Sequence, residues 1–179
     1  MKSNAPSVFF VDDEPHILES LRRLLIDESY EVRIASDPLR ALEEIRKRPP
    51  TAVVSDYHMP GMTGPQLLRE VRVIDPGIVR IILTGKPDIG SVLSAVNGGE
   101  VYRYAIKPWD DDELRMMVRT ALDYARLLKD RERLQLELEG HRRALQAIEK
   151  SHPGISRLPP RDATGAFVLP ETKPPARKG

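Results

Sequence analysis

Two runs, AVVS (52–55) and RIILT (80–84), constrain this chain most, because neither alternates polar and apolar residues. A strand with one face in water alternates; a strand that does not needs cover on both faces, which a parallel sheet wrapped by helices provides. A third run, SVFFV (7–11), is as dense in strand formers, while YEVRIA (30–35) and VYRYAI (101–106) are more mixed and suit strands nearer an edge. Amphipathic segments separate these runs. Ile17, Leu21, Leu24 and Leu25 mark one helical face behind Pro15, and Leu39, Leu42 and Ile45 mark a second behind Asp37-Pro38. Leu67, Leu68 and Val71 follow Gly64-Pro65, and Ile89, Val92, Leu93 and Val96 follow Pro87-Asp88. A fifth helix opens at DDDEL (110–114), with acids massed where a helix N-terminus favours negative charge. Strand and helix thus alternate five times, which predicts an α/β fold: a doubly wound, five-stranded parallel sheet flanked by five helices, the last one extended.

The extension carries its own pattern. Tyr124, Leu127, Leu134, Leu138, Leu145 and Ile148 recur at spacings of three and four, interrupted by Arg131 and His141, and Gly140 weakens helix propensity by about 1 kcal/mol relative to Ala. The spacing predicts a short dimerising coil over 123–150, in which Glu137 of one chain faces Arg142 of the other. One amphipathic helix packed on its own domain is the alternative. Residues 151–179 hold six prolines among 29 residues around one apolar island, AFVL (166–169), and are expected to be a disordered tail. The expected organisation is therefore a domain over 1–122, a helical extension over 123–150 and a Pro-rich tail over 151–179.

Charge and composition remove several functions. Residues 1–120 carry 16 Lys/Arg against 19 Asp/Glu (−3), 121–150 carry 7 against 6 (+1), and 151–179 carry 5 against 2 (+3). No segment is basic enough to predict nucleic-acid binding. The absence of cysteine excludes disulfides, thiolate zinc sites and a cysteine nucleophile. No apolar run approaches membrane-spanning length and the start does not read as a secretory signal, so a cytoplasmic protein without membrane contact is expected.

The chemistry should lie where strands end. VFFVDDEP (8–15) runs a hydrophobic strand straight into three acids, and in open parallel sheets ligands bind beyond the carboxyl ends of the strands. Asp12 and Asp13 end the first strand, Asp56 the third, Thr84 the fourth and Lys107 the fifth, so all are expected on one sheet edge. Crowded carboxylates call for a compensating charge, and oxygen-only donors select a hard cation such as Mg²⁺, which suits a site receiving phosphoryl oxygens. Asp56 is the natural nucleophile, with Thr84 and Lys107 available to phosphoryl oxygens.

The set DD (12–13), D-x-x-M-P-G (56–61), T-G (84–85) and Y-x-x-K-P (104–108) resembles the receiver domain of two-component response regulators, of the CheY-like superfamily, across about residues 6–122. That resemblance implies a flavodoxin-like fold and a phosphoacceptor at Asp56, loaded from a histidine kinase or phosphotransfer protein. It further implies Mg²⁺ held by Asp13, Asp56 and the backbone carbonyl of His58, with Asp12 acting mainly through water. Thr84 and Lys107 would serve the phosphoryl group, and Thr84 and Tyr104 would form a switch. His58 and Lys86 stand at positions that in the family tune dephosphorylation. KPWDDDEL followed by a long helix resembles a subgroup often joined to larger output domains.

The function expected is a phosphorylation-controlled signalling module, not an enzyme on outside substrates. Its output would reach a protein partner or a homodimer through 110–150, without a DNA-binding output domain. A phosphate shuttle or sink is one alternative. A stand-alone aspartyl-phosphate phosphatase is another, although DEPH after Asp12 lacks the D-x-D-x-T/V motif of haloacid-dehalogenase-like enzymes.

Overall fold

The computed structural model describes residues 5–85 and 101–153. Five strands and four helices follow one another among these residues: β1 (Ser7–Val11), α1 (Pro15–Leu24), β2 (Glu31–Ala35), α2 (Pro38–Lys47), β3 (Ala52–Asp56), α3 (Gly64–Ile74), β4 (Val79–Thr84), β5 (Arg103–Ile106) and α4 (Asp111–Ser151). All strands are parallel, in the order β2-β1-β3-β4-β5. The sequence predicts five helices; the one expected around Ile89–Val96 lies outside the described residues, as does the tail beyond residue 153.

Local chemistry starts each helix. A proline stands in the first turn of α1, α2 and α3, where its missing N–H costs nothing. The Asp37 carboxylate accepts the Arg40 N–H at 2.8 Å to cap α2, and Thr63 and Gln66 exchange contacts in a capping box at the start of α3. Such caps each contribute about 1 kcal/mol. Asp110 accepts from the N–H groups of Asp112 and Glu113, both at 3.0 Å, at the head of α4.

Every residue of β1 and β3 is buried, which explains the missing alternation. Val8, Phe10, Val54 and Ile81 pack on one face with Leu18 and Leu21 of α1 and Leu114 and Val118 of α4. Phe9, Val53 and Ile82 pack on the other with Ile45 of α2 and Leu67 and Val71 of α3. Each such side chain contributes roughly 1.5–3 kcal/mol by leaving water. Leu39 is exposed rather than on the core face of α2, because it sits about 100° around the helix from the mean of Pro38, Ala41, Leu42 and Ile45, which are buried. Leu24 is only half-buried, and Leu18 takes its place beside Leu21.

The chain divides into two units, residues 1–131 and 132–179. Helix α4 is continuous through the boundary; its buried residues run from Leu114 to Ala125, in the first unit. No helix among the described residues is long and apolar enough to cross a membrane.

Candidate functional site

The winding direction reverses at β1, which lies between β2 and β3, so the helices leaving β1 and β3 diverge to opposite faces and open a crevice above those strand ends. Backbone bonds carry the sheet ladder past the strand ends into the loops there. Asp12 N–H donates to Ala35 O at 3.2 Å, Tyr57 N–H to Leu83 O at 2.9 Å and Lys107 N–H to Thr84 O at 2.8 Å. Asp12, Asp56, Thr84 and Lys107 are thereby fixed on one edge, as the sequence predicts.

Lys107 organises them. From the tip of β5 its side chain reaches past β4, and Nζ lies 2.6 Å from both Asp12 Oδ2 and Asp56 Oδ1. Glu14 Oε1 stands 3.7 Å away from the same ammonium. The second oxygen of each buried aspartate is also held: Asp12 Oδ1 accepts the Glu14 N–H at 3.0 Å and Asp56 Oδ2 the His58 N–H at 2.7 Å. Burial drives the Asp12 carboxyl above its ordinary pKa, against the opposing pull of Lys107 and the Glu14 N–H. Burial also disfavours the Lys107 charge, but its bonds to Asp12 and Asp56 outweigh that and hold its pKa above the ordinary value. Asp12 is the more deeply enclosed partner.

The sign of the linkage follows from the raised Lys107 value. Its contribution to stability is fully present below the ordinary lysine pKa of about 10.5 and is lost as pH rises through the higher folded value. Urea midpoints should fall across that alkaline window, and Lys107→Met should flatten the fall. A slope identical in the two proteins would show that the ammonium contributes nothing to it.

The remaining expected residues are distributed unevenly. Thr84 is fully buried at the end of β4. Asp13 is half-buried and His58 exposed. Tyr104 on β5 is 39% exposed, so its ring is not packed inward behind Thr84. Lys86 lies outside the described residues. Gly64 was not among the expected site residues, yet a Cβ there would lie 2.1 Å from the carbonyl oxygen of Asp56. The only sequence sign of that contact is the Gly-Pro pair that starts α3.

A hard cation suits this edge by its donors and its charge. Asp12, Asp13 and Asp56 offer carboxylate oxygens, and with Glu14 four carboxylates stand against one ammonium. Among the described residues no three His, Asp or Glu side chains are gathered in an arrangement that could hold a metal ion; Asp12 and Asp56 close on Lys107 instead. A carboxyl held above its usual pKa by burial gains from any added positive charge, so the Asp12 environment favours a cation.

Known proteins resemble this chain in sequence and in fold. The family model described as response regulator receiver domain matches residues 8–119. The hydrogenase transcriptional regulatory protein HoxA of Cupriavidus necator is 38% identical over 138 residues, which cover 77% of this chain and 28% of that protein. Sporulation initiation phosphotransferase F of Bacillus subtilis is 32% identical over 115 residues, covering 64% of this chain and 92% of its own. The signal receiver domain of an HD domain-containing protein from Pseudomonas fluorescens Pf-5 superposes with a TM-score of 0.67 at 37% identity, covering 73% of this chain and 96% of that one. The chain spans about a third of the length of the transcriptional regulators it matches.

Proposed function

Because this chain belongs to the response regulator receiver domain family of two-component systems, we propose that Asp56 accepts a phosphoryl group from a phosphohistidine of a histidine kinase or phosphotransfer protein. The observation that carries this reading is the Lys107 ammonium 2.6 Å from both Asp56 and Asp12. Asp56 is 7% exposed at a strand tip, and its two oxygens are held by an ammonium and a backbone N–H. An Asp56 oxygen attacks phosphorus as the P–N bond breaks, and the bonding pair leaves with the imidazole, which takes up a proton.

For that attack Lys107 must release Asp56 Oδ1; it remains anchored by Asp12 and can turn its charge to a phosphoryl oxygen. The His58 N–H keeps Asp56 Oδ2 oriented, and the Thr84 hydroxyl, on the neighbouring strand tip, serves another phosphoryl oxygen. Receiver domains generally bind Mg²⁺; here Asp12, Asp13, Asp56 and the His58 carbonyl would hold it, and when bound it supplies positive charge to the transferring group.

Incubation with acetyl phosphate should add one phosphoryl group per chain by intact mass in Mg²⁺ and none in EDTA. No label, or a label indifferent to EDTA, would overturn this assignment. Sustained turnover of p-nitrophenyl phosphate would instead favour the stand-alone phosphatase reading.

The readout we propose runs through Thr84 and Tyr104, whose partly exposed ring has room to change position, to a protein partner or to chain pairing. The transcriptional regulators among the relatives support an output role. The phosphotransferase matched over 92% of its length supports a second reading, a phosphate shuttle. Rapid back-transfer of the label from Asp56 to a phosphotransfer histidine would select the shuttle.

A further inference from the structure

One residue of β3 is out of keeping with its strand. Ala52, Val53 and Val54 are buried and apolar, and Asp56 serves the site, but Ser55 between them is a fully buried hydroxyl. Its partners in the sheet register are Val11 of β1 and Ile82 of β4, both buried, and neither makes use of a hydroxyl. A polar group in a central strand gives up apolar packing and needs a partner of its own.

That partner lies one residue on. Ser55 Oγ donates to the carbonyl oxygen of Asp56 at 2.9 Å. The other end of the same peptide unit is tied to the sheet, with Tyr57 N–H donating to Leu83 O at 2.9 Å. The following unit is tied as well. Gly64 N–H donates to Tyr57 O at 2.9 Å, and His58 N–H donates to Asp56 Oδ2 at 2.7 Å. Two successive peptide planes are thus pinned in the turn that joins Asp56 to His58. Among these bonds, the one from Ser55 is made by a side chain other than the reacting carboxylate.

We infer that Ser55 is a positioning residue for phosphoryl transfer: its hydroxyl fixes the Asp56–Tyr57 peptide plane and so aims the His58 N–H at Asp56 Oδ2. The inference rests on Asp56 as the acceptor. Without the hydroxyl, the Asp56 carbonyl loses this donor in a place where bulk water cannot replace it. A buried acceptor left short of a donor favours turning its peptide plane, and that turn carries Tyr57 and the His58 N–H with it. Size is the rival explanation. Ser55 Oγ lies 3.0 Å from where a Cβ on residue 64 would stand, so the approach of α3 calls for a small residue here. Alanine meets the demand of size and lacks the hydroxyl.

Ser55→Ala should fold and, in saturating Mg²⁺, take the acetyl phosphate label about tenfold more slowly than the native chain, part of the hundredfold that a displacement near 1 Å costs. Its His58 amide proton should move upfield as the bond to Asp56 Oδ2 lengthens. Val118→Ala is the control. It loses core packing on the face of the sheet opposite α3, and should keep the native labelling rate and His58 resonance. Native labelling in Ser55→Ala would assign Ser55 to size alone and overturn the inference. A slowed label with an unmoved His58 resonance would do the same, as would equal slowing in Val118→Ala. If the native chain takes no label, the acceptor reading fails by itself, and the His58 resonance of Ser55→Ala still decides whether the hydroxyl orients the turn.

Discussion

Asp56→Asn should lose the acetyl phosphate label completely while remaining folded. The carboxamide keeps the shape of the side chain, and its oxygen can still accept the His58 N–H that now lies 2.7 Å from Oδ2. It removes the charged nucleophile, since a neutral amide oxygen does not attack phosphorus and displace the leaving group under these conditions. The fold survives because Lys107 retains its 2.6 Å contact to Asp12, so no buried ammonium is left without a partner. The substitution also removes a carboxylate whose charge helps to raise the Asp12 pKa, so Asp12 should ionise more readily in the variant. Intact mass after acetyl phosphate treatment checks the first outcome and thermal unfolding the second. A label that persists in the variant would move the acceptor to another residue.

Gly64→Ala should damage stability and labelling together. The new Cβ would lie 2.1 Å from the Asp56 carbonyl oxygen and 3.0 Å from both its carbon and Ser55 Oγ. Two of these three atoms are backbone, so rotation of a side chain does not relieve the clash. Either the first turn of α3 lifts away, breaking the 2.9 Å bond from Gly64 N–H to Tyr57 O, or the end of β3 moves with Asp56 on it. Overpacking of this kind costs about 3 kcal/mol. A displacement of Asp56 near 1 Å would slow phosphoryl transfer by about a hundredfold. Urea unfolding and the labelling rate read the two effects. A variant with native stability and native labelling would show that this contact is not needed to hold Asp56.

What could be read from the sequence was set by short-range pattern. Unbroken runs such as AVVS require cover on both faces, and all of AVVSD is buried. Strand tips follow from where those runs stop, so the sequence alone assigns Asp56, Thr84 and Lys107 to one edge. Contacts between distant segments were not assignable. Nothing in the neighbourhood of Lys107 says that its side chain closes on Asp12, 95 residues away, and on Asp56 at the same time. The fit of Gly64 against Asp56 is likewise a fact about where a loop returns. Leu39 was misassigned because three leucine-like residues at spacing three define a face only to within about one residue, and Ala41 completes the buried side instead.

The backbone bonds that run past the strand ends bear on how the reactive edge melts. With the Asp12, Tyr57 and Lys107 N–H groups tied to carbonyls of neighbouring segments, the first residues of the three loops are held to the sheet. Their amides should exchange with deuterated solvent only in the rare event that releases the central strands, as members of one cooperative unit. Chemistry and architecture would then disappear at the same denaturant concentration, with no intermediate that keeps the sheet and forfeits the acceptor.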